Sequence, residues 1–474
     1  EAWSNLVATG YGGDAESTQS GFVQRLASEL DKRGTVDVLR RGVVDRNVTI
    51  QLAYFKPAHG LTRELEELYD ANVLTVMRQL PFNPGTSQTI DLGLFVNGVP
   101  VATAELKNPL TGQNVEHAIA QYRKDRDPKN RTLSRLGMVH FAVDPSLVSM
   151  TTQLAGNRTR FLPFNRGHDL GAGNPLNPDG HRTSYLWEQV WTRDAWMDIL
   201  GRFVHVEKPS KGSKKRPDVI FPRFHQWNSV RRLEADAKTK GAGTNYLIQH
   251  SAGSGKSNSI AWLAHRLSSL HTDKDEKVFN KVVVITDRII LDRQLQDTIS
   301  QFEHAIGVIE SIDKSSTQLA DALSGEQARI IITTLQKFPF VIDKIEDLPE
   351  RTYAVIVDEA HSSQTGEAAK ELRRALGAAE IDLDDEATDT ETLLAEAVAA
   401  RGHQPNLSFF AFTATPKGRT LELFGDRNAD GKHEPFDLYP MRQAIEEGFI
   451  EDVLANYVTY NQYVHLEKAI LDDP

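Results

Sequence analysis

Hydrophobic residues recur along the first 145 positions with spacings that change from helical to strand-like. Apolar positions from Ser17 to Leu39 fall on one face of a helix, and a second amphipathic helix is predicted at Leu61–Met77. Apolar and polar residues then alternate from Thr89 to Leu106, which is typical of half-buried strands. With a helix at Val115–Lys124 and a strand at Met138–Val143, the pattern predicts a compact α+β module.

The middle of the chain changes character. Residues 156–184 are rich in Gly, Asn and Pro, which indicates a long irregular segment. A helix is predicted at Tyr185–Val204, with Trp187 and Trp191 packed in a core, and Lys208–Arg216 is predicted to be a basic linker.

From residue 220 onward, short apolar runs alternate with helical segments. Such runs are typical of parallel strands buried on both faces, so we predict a doubly wound α/β domain. The predicted strands are Tyr246–Gln249, Lys281–Thr286, Arg329–Thr334, Tyr353–Val357 and Leu407–Phe412. Residues 380–396, dense in acid, are predicted to be an exposed insertion. The resulting division is 1–155, 156–219 as connector, 220–425, and 426–474 as the start of a further domain.

Composition narrows the function classes. The 474 residues carry 54 Lys+Arg and 65 Asp+Glu, a net charge of −11, so contact with nucleic acid must come from local patches. The absence of cysteine excludes disulfides, thiolate-ligated metals and a thiol nucleophile, and fits a reducing cytoplasm. No apolar run is long enough to cross a membrane. The chain starts at Glu1 rather than Met, and we expect it to be a fragment or a trimmed chain.

A phosphate-binding loop follows the first buried strand. Its glycines allow backbone N–H groups to surround a phosphate at a helix N-terminus, its lysine reaches the β- and γ-phosphates, and its last serine binds Mg²⁺. These residues are Gly253, Ser254, Gly255, Lys256 and Ser257. The usual first glycine is replaced by His250. Strand before and helix after favour nucleotide binding over a structural turn.

Polar residues end two later strands. Asp358 can hold Mg²⁺ beside the phosphate loop, and Glu359 can orient or deprotonate the attacking water. Thr413 and Thr415 follow the last predicted strand, at the edge where ligands collect in open α/β sheets. The order of all three motifs, each at a strand end, predicts a nucleotide site.

In the first module, Asp91, Glu105 and Lys107 flank a hairpin whose turn signal is Asn97-Gly98. A two-residue loop would place Asp91 opposite Ala104 and mix polar with apolar positions. With a three-residue loop and a bulge, the residue numbers of each cross-strand pair add to 196, so Asp91 faces Glu105. One side of the hairpin, which includes Ile90, then becomes apolar. We predict the second register.

Two facing carboxylates repel each other unless a cation lies between them, and hard oxygen ligands suit Mg²⁺. The predicted chemistry is metal-dependent hydrolysis of a phosphodiester, with Lys107 stabilising charge. A purely structural Glu–Lys pair is the alternative.

Residues 224–424 resemble the superfamily 2 helicases and translocases, through the phosphate loop, Asp358-Glu359-Ala360-His361 and Thr413-Ala414-Thr415. The resemblance implies that Phe224 and Gln226 read adenine, and that strand-end segments holding Arg288 and Thr334 grip the nucleic-acid backbone. It further implies that His361, Thr413 and Thr415 couple nucleotide state to DNA contact. The family's arginine finger lies in a second domain, so this chain alone is expected to bind ATP but to hydrolyse it poorly.

Residues 14–145 resemble restriction-endonuclease-like nucleases with an Asp…Glu-x-Lys core. The resemblance implies help from a glutamate on the first helix, here Glu16, and from a Gln-x-x-x-Tyr helix. The sequence departs there, because Ala118 stands four before Tyr122 and the glutamine is Gln121. We predict DNA contacts from Gln121, Tyr122 and Arg123; the basic residues that follow could track phosphates or simply form a solvated helix end. These residues are Lys124, Arg126, Lys129 and Arg131.

The order of nuclease, connector and motor resembles the motor and cleavage subunits of type I restriction enzymes. This implies ATP and Mg²⁺ as cofactors, and double-stranded DNA together with modification and specificity subunits as partners. Two alternatives remain open: a stand-alone repair or RNA helicase with a degenerate nuclease domain, and a nucleotide-controlled assembly module.

Overall fold

The computed structural model describes most of the chain. The described residues are 2–9, 14–58, 60, 62–83, 85–207, 218–286, 298–299, 309–312, 316–334, 337–358, 398–399 and 402–452. The predicted residues Arg288, Glu359 and His361 and the acidic segment 380–396 lie outside them. No helix in the described part is both long and apolar enough to span a bilayer.

Capping residues mark the limits of several N-terminal helices. The N-terminal helices are α1 (Ala2–Thr9), α2 (Ala15–Arg33), α3 (Thr35–Arg41), α4 (Arg63–Asp70) and α5 (Val115–Lys124). The Asp14 carboxylate accepts a hydrogen bond from the Ser17 N–H, 2.7 Å away, at the start of α2. Gly34, with φ of 83°, splits the helix predicted at Ser17–Leu39 into α2 and α3. The helix predicted at Leu61–Met77 is also shorter, because the chain enters a strand at Leu74.

Six strands form the N-terminal sheet. They are β3 (Leu74–Pro81), β4 (Thr89–Val96), β5 (Val99–Leu106), β6 (Val139–Val143), β7 (Val148–Thr151) and β8 (Leu162–Pro163). They lie in this order, and all pairs are antiparallel except β5 with β6. A small hairpin, β1 (Val43–Asp45) with β2 (Val48–Ile50), precedes them. Because β8 pairs with β7, this domain extends past the boundary predicted at residue 155.

The β4–β5 turn corrects the predicted loop but keeps the predicted register near the carboxylates. Val96 pairs with Val99, so the loop has two residues, and both Asn97 and Gly98 have positive φ, 49° and 82°. A register shift follows between Leu94 and Phe95. Beyond this bulge the paired numbers sum to 196, ending at Leu92 with Ala104. The extra residue is therefore in the strand and not in the loop.

The connector is not the single helix predicted at Tyr185–Val204. It consists of π-helical turns at Leu186–Val190 and Ile199–Phe203 on either side of α6 (Arg193–Asp198). Trp196 is buried, whereas Trp187 is 45% exposed. Strands β9 (His205–Glu207) and β10 (Asp218–Ile220) then pair. Most of residues 156–184 are irregular, as predicted.

A seven-stranded parallel sheet forms the second domain. Its strands are β11 (Tyr246–His250), β12 (Lys281–Thr286), β13 (Ile309–Ser311), β14 (Ile330–Thr334), β15 (Tyr353–Asp358), β16 (Leu407–Thr413) and β19 (Asp437–Tyr439). Their order is β13-β14-β12-β15-β16-β11-β19. The described helices are α7 (Phe224–Lys240), α8 (Lys256–Ser268), α9 (Ser316–Ser324), α10 (Phe338–Glu346), α11 (Gly418–Phe424) and α12 (Met441–Glu446). A short hairpin joins β17 (Asp426–Arg427) and β18 (His433–Glu434).

The five predicted strands are confirmed to within one residue, since Val, Ile and Phe runs buried on both faces leave little freedom in their placement. The boundary predicted at residue 425 is wrong, because β19 hydrogen-bonds to β11 as a strand of the same sheet. We propose that the first RecA-like domain runs at least to residue 450. The fold is thus a restriction-endonuclease-like α+β domain followed by a RecA-like domain.

The connector is locked onto the second domain. The buried Arg266 of α8 forms ion pairs with Asp198 of α6, 2.9 Å, and with Glu234 of α7, 2.5 Å. The Trp262 indole N–H donates to the Phe203 carbonyl, 2.8 Å. A continuous hydrophobic core runs from α2 through the connector to β16.

Candidate functional site

The predicted carboxylates lie just past the last paired residues of the β4–β5 ribbon. The Asp91 carboxylate accepts hydrogen bonds from the Leu106 N–H, 2.8 Å, and from the Gln79 side chain, 3.2 Å. Gln79, with φ of 51°, interrupts the β3–β4 pairing opposite Asp91. Ile90 packs in a separate cluster with Leu80, not on the apolar face predicted for it.

Glu105 is completely buried beside this interruption. Both Nε and Nη2 of Arg126 donate to its Oε1, at 2.8 and 2.6 Å. Its other oxygen, Oε2, is buried and accepts no hydrogen bond from the residues that the structure describes. Burial raises the pKa of Glu105 to about 7 against the opposing charge of Arg126, and the negative charge of Asp91 adds to the rise. The two carboxylates therefore lie close enough to interact.

The third predicted residue is held by a helix. Lys107 extends from the end of β5, and its Nζ donates to the Gln121 Oε1 of α5, 2.5 Å away. Gln121 thus orients the lysine, a contact that the sequence could not assign because the residue stands beside Tyr122 and not four before it. Glu16 lies exposed in the first turn of α2, and its role stays a prediction.

The predicted DNA contacts along and after α5 are partly wrong. Tyr122 is completely buried, and its hydroxyl lies 2.8 Å from the Thr103 hydroxyl, so it cannot reach DNA in this conformation. Arg126 is occupied by Glu105, and Arg131 pairs with Asp31, 3.0 Å. Arg123 donates to the Thr159 carbonyl, 3.1 Å.

A buried hydrogen-bonded chain supports this sheet from behind. The His140 Nε2–H donates to the Leu133 carbonyl, 2.9 Å, so its Nδ1 accepts from the Thr103 hydroxyl, 2.7 Å. Thr103 in turn accepts from Tyr122. Burial lowers the pKa of His140 to about 4, so this imidazole is neutral at pH 7.

Acid should therefore destabilise the N-terminal domain through His140. Its folded pKa lies below the unfolded value of 6.5, so its contribution is complete above pH 6.5 and is lost as pH falls toward 4. The loss should reach about 3 kcal/mol. Urea unfolding of the wild type and of His140→Gln checks this: the difference in unfolding free energy should shrink on acidification, and a constant difference from pH 7 to 4 would contradict it.

In the second domain, the phosphate loop connects β11 to α8. Gly253 and Gly255 have φ of 73° and 76°, which favour glycine. A Cβ on Gly255 would lie 2.5 Å from the Gln226 amide nitrogen. Lys256 Nζ donates to the His250 carbonyl, 3.3 Å, and Ser257 is exposed at the start of α8.

The first turn of α7 and the residue before it brace this loop. The Gln226 amide donates to the carbonyls of Ser254 and Gly255, at 3.1 and 3.0 Å. Phe224 is buried in a cluster of aromatic side chains, 5.0 Å between ring centroids from Tyr185, so its prediction as an adenine-reading residue is wrong. Arg223, which the sequence analysis missed, donates to the Gly253 carbonyl, 2.8 Å.

A cleft of about 460 Å³ opens beside the loop, and its lining includes Arg223, Gln226, Gly255, Asn258 and Arg160. Nη1 of Arg223 is buried and has no hydrogen-bond partner among the described residues. A group that accepts hydrogen bonds, such as a nucleotide base or ribose, would satisfy it. The cleft therefore suits the part of ATP that the phosphate loop does not hold.

The segment after β18 closes the other side of the loop. The buried His250 donates from Nε2 to Asp437, 2.7 Å, and Asp437 also pairs with Arg232, 2.7 Å. The Arg223 guanidinium lies 3.9 Å from the Phe449 ring centroid. The hydrogen bond to Asp437 thus gives the histidine at the start of the phosphate loop a structural partner.

The remaining predicted residues lie at strand ends of the same sheet. Asp358 ends β15 and is partly exposed, with β16 between it and β11. Thr413 is buried at the end of β16, Thr415 is exposed just beyond it, and Thr334 ends β14. Their roles stay predictions. Among the described residues, no group of three or more His, Asp or Glu side chains forms a metal cage.

Two families match the two domains. Residues 20–159 match the type I restriction enzyme R protein N terminus, and residues 225–381 match the SWI2/SNF2 ATPase family. A solved structure titled "The fragment structure of a putative HsdR subunit of a type I restriction enzyme from Vibrio vulnificus YJ016" aligns at a TM-score of 0.30 and 15% identity. The alignment covers 79% of this chain and 56% of that one.

Two curated relatives point the same way. The type I restriction enzyme HindI endonuclease subunit of Haemophilus influenzae is 27% identical over 372 residues, 77% of this chain and 32% of that protein. The chain thus spans about a third of that relative. A Mycoplasma pneumoniae protein, named as the C-terminal part of the putative type I restriction enzyme MpnIIP endonuclease subunit, is 30% identical over 187 residues, 38% of this chain and 87% of that protein. This chain therefore belongs to the family of type I restriction enzyme endonuclease subunits, with an N-terminal nuclease-type domain and a helicase-type ATPase domain.

Proposed function

We propose that this chain carries the DNA-cleaving site and the first motor domain of an ATP-driven, Mg²⁺-dependent type I restriction endonuclease. The observation that carries the proposal is the arrangement of Asp91, Glu105 and Lys107 around one ribbon end. Asp91 accepts a hydrogen bond from the residue after Glu105, both Asp91 and Lys107 are near enough to influence the Glu105 carboxylate, and Gln121 orients the lysine. A structural Glu–Lys pair, the alternative reading, does not fit, because Glu105 pairs with Arg126 and Lys107 with Gln121.

The donor set fits Mg²⁺. Oε2 of Glu105 is buried and has no hydrogen-bond partner in the described part of the chain, so a cation would satisfy it, and Asp91 supplies a second carboxylate. Two protein carboxylates are sufficient for this ion, because Mg²⁺ usually keeps several waters and takes substrate phosphate as a ligand. When bound, Mg²⁺ supplies Lewis-acid activation of the scissile phosphate and of a water nucleophile.

The chain's own groups then divide the work. Glu105 must be ionised to bind a cation, and Arg126 favours its ionised form. The Lys107 ammonium, fixed by Gln121, stabilises the negative charge that grows on the phosphate oxygens during attack. Gln79 and the Leu106 N–H hold Asp91 in place, so neither carboxylate has to reorganise when DNA arrives.

The ATP site converts nucleotide binding into movement under this proposal. Loop N–H groups at the start of α8 bind the phosphates, and Lys256 exchanges the His250 carbonyl for them. Ser257 and Asp358 would hold the accompanying Mg²⁺. Arg223 and Gln226 line the cleft for the base and ribose. A second motor domain, outside the described residues, would complete the hydrolytic site.

Cleavage by the assembled complex tests the proposal. The full-length subunit is mixed with the methyltransferase and specificity subunits encoded with it, and with unmethylated phage DNA. We expect double-strand breaks that require both ATP and Mg²⁺, and none in the same DNA methylated beforehand by the complex. Failure to associate, together with unwinding of a duplex in their absence, would instead support the repair or RNA helicase.

A further inference from the structure

Direct pairing between β4 and β5 does not extend to the two carboxylates, although β4 still pairs with β3 and β5 with β6 at this end. Backbone pairing between β4 and β5 ends at Leu92 with Ala104, one residue short of Asp91 and Glu105. The contacts that join the end of β4 directly to the end of β5 therefore involve side chains. On the Asp91 side this contact is the hydrogen bond from the Leu106 N–H.

On the Glu105 side the contact is Arg126. Besides its two hydrogen bonds to Glu105 Oε1, its Nη2 donates to the Thr89 carbonyl, 2.9 Å, at the start of β4. The guanidinium carbon also lies 5.1 Å from the centroid of the Phe82 ring. One side chain thus joins the first residue of β4 to the catalytic end of β5 and to the loop after β3.

This pairing is asymmetric. An arginine commonly binds both oxygens of a carboxylate, but here two nitrogens converge on Oε1 and leave Oε2 buried without a donor among the described residues. Burying such a pair costs desolvation energy, so stability alone gives little reason for it. An arrangement that occupies one oxygen and directs the other away leaves that other oxygen available for a cation.

We infer that Arg126 is a positioning residue of the metal site, which links the ends of β4 and β5 where they no longer pair with each other and commits Glu105 to coordination through Oε2. The inference rests on the proposed nuclease function and adds a residue to it. Arg126 is 6% exposed, so it cannot also bind DNA phosphates from this position. Arg126 therefore acts inside the domain, although in the sequence it belongs to the basic run after α5.

Metal binding without DNA tests the inference. Mn²⁺, a paramagnetic stand-in for Mg²⁺, is titrated into the full chain and followed by electron paramagnetic resonance. Arg126→Met is expected to raise the Mn²⁺ dissociation constant about tenfold or more, since removal of an outer-shell partner typically has this effect. Arg126→Lys, which keeps the charge but not the planar fork, should fall between the wild type and Arg126→Met.

Arg131→Met is the matched control, because Arg131 lies on the same basic run but pairs with Asp31 at the surface, both about half exposed. It should bind Mn²⁺ like the wild type. The ATP site could also bind Mn²⁺. The titrations are therefore repeated in a protein that carries Lys256→Ala and Asp358→Ala, which alter that second site. Urea unfolding, measured without those two substitutions, reports whether the N-terminal domain of each variant is folded.

Each outcome has a distinct meaning. Wild-type affinity in a folded Arg126→Met would overturn the inference, and weaker DNA binding in the same variant would assign Arg126 to phosphate contact instead. If Arg126→Met does not fold, wild-type affinity in Arg126→Lys would overturn it. The Lys256→Ala, Asp358→Ala protein is also compared with the same protein carrying Asp91→Ala. If the two give the same Mn²⁺ titration, no Mn²⁺ binds at the carboxylates, and the proposed nuclease function is wrong whatever Arg126 does.

Discussion

Replacing Asp91 with asparagine should reduce DNA cleavage by the assembled enzyme by about a thousandfold or more. The change keeps the shape of the side chain and an oxygen that can accept from the Leu106 N–H, but removes the charge that opposes the cation. ATP hydrolysis stimulated by DNA should stay within about twofold of wild type, because Asp91 lies in the other domain and contacts no described residue of the phosphate loop. Linearised plasmid is measured on gels and ATP turnover by phosphate release.

Asp127→Asn is the control for this prediction. Asp127 follows Arg126 in the chain but is exposed, and its carboxylate accepts from the Lys129 N–H, 2.8 Å. Normal cleavage is expected from it. Cleavage by Asp91→Asn at the rate of this control would remove the nuclease assignment and leave the first domain as a DNA-binding module.

Replacing Lys256 with alanine should reduce DNA-stimulated ATP turnover by about a hundredfold or more, since the ammonium group is the loop's mobile cation for the β- and γ-phosphates. Cleavage should also be lost, because the proposed enzyme moves DNA before cutting it. The measurement uses the full-length subunit in its complex. Lys274→Ala, an exposed lysine beyond α8, is the matched control and should turn over ATP normally.

A different result would separate the motor from the assembly-module alternative. If Lys256→Ala eliminated nucleotide binding but left cleavage intact, ATP would not drive the DNA-dependent step. If the wild type bound ATP with no stimulation of turnover by DNA, the second domain would serve assembly alone. We expect Asp91→Asn to lose DNA cleavage but keep normal ATP turnover. We expect Lys256→Ala to lose both activities.

The sequence predicted those parts of the fold that local patterning determines. Strands such as Tyr353–Asp358 and Leu407–Thr413 are mostly apolar and buried on both faces, so their positions could be predicted almost to the residue. The turn at Asn97-Gly98 was predicted, but its loop length was not, because a bulge inside β5 gives the same distant register as a longer loop. The helix predicted at Leu61–Met77 was too long, because pairing with β4 outweighs helical patterning at Leu74.

The candidate sites were also predicted where local patterns determine them and missed where distant contacts do. Asp91, Glu105 and Lys107 were found from spacing and register, and the phosphate loop from its glycines. The side chains that hold them were missed or misassigned, because each acts across a long stretch of sequence. Arg126 lies 21 residues from Glu105 and reads as part of a solvated basic run, while Asp437 lies 187 residues from His250. Short sequence windows carry no signal for such contacts.

Residues 437–450 cover the phosphate loop. They therefore limit where a recombinant fragment that contains the ATPase domain can end. A recombinant fragment ending at residue 425 would remove β19 from one side of β11, leave the His250 imidazole without Asp437, and uncover Gly253, which lies against Phe449 and Ile450. Such a piece would present a bare sheet edge and should aggregate. Cutting after residue 452 retains this cover and gives a better unit for calorimetry, crystallisation or labelling.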